Sequence, residues 1–125
     1  MEMIIPRGML YLYDWENDQV EIPEYREDQT VSATSTALSI ALISDEDGNP
    51  TVKLGRFANQ ARFSSSFGTF TLKCPNKLLS LCTMGDNEVQ RLLLSQDAIE
   101  VNISGNSRKF PSEIFISSSF FVSVE

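Results

Sequence analysis

A run of carboxylates is the first place in this chain where chemistry could be sought. Seven acidic side chains lie between Asp14 and Asp28, with Trp15 and Tyr25 among them. Paired carboxylates can supply the acid and base of glycoside hydrolysis, and aromatic rings can carry a sugar. Such catalysis needs one carboxyl group to be desolvated, so that its pKa rises toward neutrality. The segment is too polar for that, so it predicts a solvated acidic surface, with carbohydrate binding on the aromatic rings as an alternative.

Other kinds of active site have less support. The chain has no histidine, so a serine or cysteine nucleophile would lack its usual base. Asp45, Asp47 and Asn49 resemble the first half of a calcium loop, but Pro50 and Arg56 stand where that pattern requires Gly and Glu. We therefore expect a plain turn there, and we predict no catalytic residue, no metal site, no cofactor and no enzymatic activity.

The charge is distributed unevenly along the chain. The first 50 residues carry 11 acidic and two basic side chains, whereas the remaining 75 carry six and eight, for a total of −7. An acidic surface repels polyanions and attracts basic partners. Two small clusters combine basic and aromatic residues, at 56–63 and 108–110. We interpret them as surface charges and as partners for the acidic segment, and we expect no nucleic-acid binding.

The hydrophobic pattern predicts mostly strands. Residues 8–14 and 99–103 alternate in the manner of strands, and residues 15–29 follow no period and indicate a long surface loop. Residues 37–57 look like a hairpin, residues 70–81 look like a second hairpin that turns at Pro75 and Asn76, and residues 113–124 supply one or two further strands. At 86–95, Val89, Leu92 and Leu93 fit a short helix, although a third hairpin fits as well.

These elements predict a mostly β fold, with residues 1–125 forming a single domain. We expect an antiparallel β-sandwich or barrel of about seven or eight strands, with a short helix near 86–95 if the hairpin does not form there. Cys74 and Cys82 are too few for a disulfide scaffold and, in the predicted second hairpin, too far apart to pair, so they indicate buried thiols and a reducing compartment. The longest run rich in apolar residues, 36–43, is too short to cross a bilayer. We therefore expect a cytoplasmic protein without a membrane partner.

The order of these features resembles one protein family. The chain contains a Tyr-Leu-Tyr-Asp strand at 11–14, an acidic loop with a tryptophan, an aliphatic hairpin, Gln-Ala-Arg-Phe at 60–63, Thr-Phe-Thr-Leu at 69–72 and Phe-Val-Ser-Val at 121–124. In this order they are similar to competence protein J, a small acidic nuclease inhibitor of bacterial competence systems. The resemblance implies a non-catalytic inhibitor of a cationic enzyme.

The leading hypothesis is therefore a non-enzymatic binding module of the inhibitor or immunity type. Its partner would be a basic protein such as a nuclease or toxin, whose positive cleft an acidic surface with aromatic anchors can occupy. The candidate partner-binding residues are Asp14, Trp15, Glu16, Asp18, Glu21, Glu24 and Tyr25. The alternative is a β-sandwich or jelly-roll accessory domain that binds carbohydrate or assembles into a homo-oligomer, and the acidic loop could also serve only solubility.

Overall fold

The computed structural model describes residues 2–4, 8–24, 26, 28–43, 50–60, 62–83 and 87–122, with residues 2–4 and 60 as backbone only. These residues contain ten strands and one short 3₁₀ helix, Ala58–Gln60. The strands are β1 (Glu2–Ile4), β2 (Met9–Tyr13), β3 (Val31–Ala33), β4 (Ala37–Ala41), β5 (Thr51–Gly55), β6 (Ser65–Lys73), β7 (Leu78–Thr83), β8 (Asn87–Leu93), β9 (Ala98–Gly105) and β10 (Glu113–Ser117).

The strands form two sheets of five strands each. Sheet 1 has the order β1-β5-β10-β9-β6, and sheet 2 has the order β3-β4-β2-β7-β8. The predicted mostly β sandwich is confirmed, and the described strands number ten where seven or eight were expected. The expectation of purely antiparallel pairing is wrong for one pair, because β10 and β5 run parallel.

A single apolar cluster holds the two sheets together. Alternation places one side of β2 and one side of β9 in this core, as the sequence predicted for β9, whereas the apolar residues on both sides of β2 had indicated a strand covered on both sides. Leu10 and Leu12 from β2 are fully buried, and Val101 from β9 is buried against them in the same cluster. Burial of side chains of this size stabilises the fold by about 1.5–3 kcal/mol each.

Both hairpins predicted at 37–57 and 70–81 are wrong. Strand β4 pairs with β3 and β2 in sheet 2, whereas β5 pairs with β1 and β10 in sheet 1. In the same way, β6 belongs to sheet 1 and β7 to sheet 2. Alternation shows which side of a strand is buried, but it does not show which strand is the neighbour. The calcium-like residues Asp45, Asp47 and Asn49 lie outside the described residues.

The short helix predicted near 86–95 is also wrong, and the hairpin alternative is correct. Residues Asn87–Leu93 form β8, which pairs antiparallel with β7. The register shifts between Leu81 and Cys82, so that Val89 is an extra residue in β8. The three residues of the helical pattern do not share a buried side, because Leu92 is buried whereas Val89 and Leu93 are exposed.

The two cysteines are buried and not bonded to each other, as predicted, although the hairpin from which this was argued does not form. Cys74 and Cys82 are both buried, and neither belongs to a disulfide bond. Cys74 belongs to the core cluster, whereas Cys82 pairs with Tyr11 on the outward side of sheet 2. Within the described part of the chain, no helix has the length and apolar character needed to cross a membrane.

Candidate functional site

Strand β2 presents an aromatic row on the outward side of sheet 2. Leu10 and Leu12 face the core, so Tyr11 and Tyr13 face outward, where both are half-buried. The residues opposite Tyr11 are Ser39 on β4 and Cys82 on β7. These two small residues also face outward, yet they are only 3% and 1% exposed. The larger tyrosine side chains therefore cover them and form the surface themselves.

Trp15 extends this row beyond the end of the strand. Its ring centroid lies 6.0 Å from that of Tyr13, and the two ring planes differ by 16°. The aromatic row thus consists of Tyr11, Tyr13 and Trp15, at every second residue. Sequence reasoning selected Trp15 alone, although the spacing of the two tyrosines was visible as one face of the predicted strand.

Asp14 anchors the start of the acidic loop. Its side chain is fully buried, and Oδ2 accepts a hydrogen bond from the Asn76 backbone N–H at 2.7 Å. Oδ1 accepts hydrogen bonds from the Glu16 backbone N–H at 3.0 Å and from Asn76 Nδ2 at 3.3 Å. The Asn17 backbone N–H donates to the Asp14 carbonyl at 3.0 Å. Asp14 therefore positions the loop from inside and does not present its carboxylate at the surface.

Most of the other predicted site residues lie at the surface. Glu16, Asp18, Glu21 and Glu24 are exposed, and Trp15 is half-buried. The middle of the loop is fixed to the connection between β3 and β4, because the Glu21 backbone N–H donates to Thr36 Oγ1 at 2.9 Å and Thr34 Oγ1 donates to the Glu21 carbonyl at 2.6 Å. Tyr25 lies outside the described residues. We name the exposed carboxylates of Glu16, Asp18, Glu21 and Glu24 the acidic rim.

An ion-pair network joins the acidic rim to β8. Arg91 contacts Glu16 at 3.4 Å and Glu88 at 2.9 Å, and the Ser80 hydroxyl donates to Glu88 Oε2. The hydrogen bond from Arg91, followed by that from Ser80, holds the pKa of Glu88 below its usual value. Both charged groups of each pair are partly exposed, so the pairs contribute little to the stability of the fold and mainly hold these side chains in place.

Arg91 is a basic partner of the acidic loop that the sequence analysis did not select. Arg91, which forms the ion pairs found between described residues, lies outside both basic-aromatic clusters. In those clusters the Arg56 guanidinium lies 5.9 Å from the Phe57 ring centroid, and Lys109 Nζ lies 5.8 Å from that of Phe110. Arg56 Nη2 also donates to the Ser119 carbonyl at 3.2 Å. Sequence spacing gave no signal for Arg91, because Glu16 and Arg91 meet only through the order of strands in sheet 2.

Comparison with known proteins gives no match: no family model, no curated protein and no solved structure matches this chain. The resemblance to competence protein J therefore stays a prediction. Within the described ranges, no group of three or more histidine, cysteine or carboxylate side chains is arranged to hold a metal ion. What the site offers is a row of aromatic rings beside ordered carboxylates.

Proposed function

We propose that this chain is a non-enzymatic binding module whose acidic rim and aromatic row together recognise a basic protein partner, such as a nuclease or toxin, in the manner of an inhibitor or immunity protein. The observation that carries the proposal is the anchoring of the acidic loop. Exposed carboxylates are held beside half-buried aromatic rings by a buried carboxylate and by two threonine hydroxyls.

Ordering matters because association costs conformational entropy. A loop that is already fixed in the free protein does not have to be ordered on binding, so more of the interaction energy appears as affinity. The carboxylates would accelerate encounter with a positive surface, and the aromatic rings would supply buried contact area. A loop that served only solubility would not need a buried anchor at Asp14 or the hydrogen bonds at Glu21.

Carbohydrate binding is the second candidate, and the aromatic row is the observation that favours it. Tyr11, Tyr13 and Trp15 lie in line on an open sheet face, and the last two rings are nearly parallel. Aromatic rings arranged in this way can stack against successive sugar rings. Binding of this kind would depend on the rings and would respond weakly to salt.

A charge-matched pair of variants tests the leading proposal. The first combines Asp18→Asn with Glu21→Gln in the acidic loop, and the second combines Glu100→Gln with Glu113→Gln in sheet 1. Each removes two negative charges, so the variants have the same net charge. Proteins captured from native lysate by the intact chain are identified at low and high salt, and affinities for purified partners are then measured.

We expect a basic partner whose affinity falls about tenfold or more in the loop variant and at high salt, with little change in the matched control. Equal loss in both variants would show that only net charge matters and would contradict the proposal. A Trp15→Ala variant then separates the two candidates. Salt-insensitive retention of a glycan that requires Trp15 would support carbohydrate binding instead, and a self-associated chain in light scattering would support assembly. The cytoplasmic location stays a prediction.

A further inference from the structure

A pocket lies on the outward face of sheet 1, away from the aromatic row. Core-facing Ile103, Ile114 and Ile116 alternate with outward-facing residues on β9 and β10. Ala58, Arg62 and Phe63, from the chain after β5, lie over this outward face, and Phe115 on β10 is only 4% exposed. Between these three residues and the sheet is a pocket with a volume of about 250 Å³.

One polar group in this pocket is unsatisfied. Ser117 lines it, is 1% exposed and has a hydroxyl without a hydrogen-bond partner among the described residues. Burying a hydroxyl without a partner costs about 1–3 kcal/mol. A group of this kind in a native structure requires an explanation, and a ligand that hydrogen-bonds to it is one.

The remaining polar groups of the pocket are mostly donors. Asn102 Oδ1 accepts the Thr69 hydroxyl at 2.5 Å, which leaves both N–H groups of Asn102 Nδ2 for another acceptor. Arg62 is exposed at the rim and makes no ion pair with a described residue. The Ser66 and Ser104 hydroxyls also line the pocket. Among the described residues no acidic side chain lines it, although the chain as a whole carries a net charge of −7.

Two aromatic side chains complete the walls. Phe63 is half-buried in the chain after β5 and Phe115 is buried on the sheet, and both line the pocket. Rings of this kind favour a compact apolar or planar group, whereas hydroxyl, amide and guanidinium donors favour an oxyanion.

We propose that this pocket binds a small organic anion, in which a carboxylate or phosphate group is attached to a compact planar body. The oxyanion contacts Arg62, the Asn102 amide and the Ser117 hydroxyl, and the body lies between Phe63 and Phe115. This binding site is separate from the acidic rim and does not depend on the function proposed there.

The test uses the full chain and four defined probes: benzoate, phenyl phosphate, inorganic phosphate and neutral benzamide. Binding is followed by amide chemical shifts and by the melting temperature. We expect at least one of the two aromatic anions to bind saturably with a Kd of about 1 mM or lower. The shifts should be centred on Asn102, Ser104 and Ser117, and benzamide should bind at least tenfold more weakly. The relative affinities for benzoate and phenyl phosphate show whether the pocket prefers a carboxylate or a phosphate group. The affinity for inorganic phosphate measures the contribution of the oxyanion alone.

Three variants make the result specific. Arg62→Gln should weaken anion binding about tenfold, whereas Arg108→Gln, which removes the same charge elsewhere, should leave it unchanged. Ser117→Ala should also weaken binding, while the unliganded variant should be at least as stable as the wild type, because it loses a hydroxyl that has no partner.

Three results would overturn the proposal: no probe shifts the pocket amides, benzamide binds as well as the anions, or Arg62→Gln binds like the wild type. A clear loss of stability in unliganded Ser117→Ala would show that the hydroxyl is already paired and would remove the argument for a ligand. Because the loop variant Asp18→Asn with Glu21→Gln leaves this pocket intact, its anion binding should be unchanged, and the two proposals can fail separately.

Discussion

Asp14 holds the acidic loop in its position in the fold. Its buried carboxylate accepts three hydrogen bonds, two of them from Asn76 in the connection between β6 and β7. We expect Asp14→Ala to lower the free energy of unfolding by about 2–3 kcal/mol, because it leaves these donors without a charged acceptor. The exposed Asp18 in the same loop gives the matched control, because Asp18→Ala should change the free energy of unfolding by less than about 0.5 kcal/mol. Urea unfolding measures both, and equal small effects would refute the anchoring role.

Cys74 makes the stability of the folded protein depend on pH in the alkaline range. Burial, followed by the negative charge of Asp14, raises the pKa of this thiol from 9.0 to about 12. In the unfolded chain the thiol ionises near its ordinary pKa, whereas in the folded chain it stays protonated. The unfolded state therefore binds fewer protons between these two values, and stability falls as the pH rises through that window. Below the lower value this contribution is fully present and constant.

We therefore expect the wild type to lose more stability than Cys74→Ala between pH 9.0 and pH 12. The variant loses packing in the core and starts from a lower stability, so the slope with pH is the informative quantity and not the absolute value. The difference in slope should integrate to on the order of 2–4 kcal/mol. Urea midpoints across this pH range measure it. Parallel slopes in the two proteins would show that the folded state does not protect the thiol.

At the scale of single elements, the sequence predicted those strands whose alternation is unbroken. Strand β2 and strand β9 were found because each alternates buried and outward residues without interruption. The same pattern contained the aromatic row, since Tyr11, Tyr13 and Trp15 follow one another at every second residue. What it did not contain was the pairing of strands. Glu16 meets Arg91 only because β7 and β8 lie beside β2 in sheet 2, and no local pattern records that order.

Exposed apolar side chains explain the element that was predicted wrongly. Of the three apolar residues of β8 that fit a helix, only Leu92 is buried, whereas Val89 and Leu93 are exposed. Apolar spacing does not show which side chains are buried, so periodicity alone favoured the wrong element. The anion pocket was missed for a related reason. Arg62, Asn102 and Ser117 come from three distant segments and are brought together only when the chain after β5 lies across sheet 1.

A bulge in β6 carries its own prediction. The register between β6 and β9 shifts between Ser66 and Gly68, and Gly68 adopts a φ of +101°. A Cβ atom at Gly68 would meet nothing within 4 Å, so any cost of Gly68→Ala comes from the backbone and not from a collision. We expect a loss of about 1–2 kcal/mol. Ser66→Ala in the same strand should cost less than about 0.5 kcal/mol, and thermal unfolding distinguishes the two. A neutral Gly68→Ala would show that the bulge can relax.

At the scale of the whole molecule, the two proposed sites lie on different parts of the sandwich. The aromatic row lies on the outward side of sheet 2 and leads to the acidic rim beyond the end of β2, whereas the donor-lined pocket lies on the outward side of sheet 1. The uneven charge of the sequence therefore becomes a spatial separation, with carboxylates around one site and none among the described residues that line the other. A basic protein and a small anion would accordingly bind without competing for the same surface.

The path of the chain through the two sheets predicts how the molecule unfolds. The chain passes from one sheet to the other between β1 and β2, β4 and β5, β6 and β7, and β8 and β9. Neither sheet is formed by a continuous segment, so neither can be lost while the other keeps its core. We expect one cooperative transition in urea, with the same midpoint by the fluorescence of Trp15, the single tryptophan, and by far-ultraviolet circular dichroism.

The same path makes folding slow, since most strand neighbours are distant in sequence and their pairing requires the closure of long loops. We expect refolding in milliseconds to seconds, measured by stopped-flow fluorescence of Trp15.

The urea midpoints measured by fluorescence and by circular dichroism bear more directly on the proposed function. A fluorescence transition at lower urea than the loss of circular dichroism would show that the end of sheet 2 melts separately from the core. The acidic loop would then not be pre-ordered by its anchor, and the physical argument for a recognition surface at that end would fail with it.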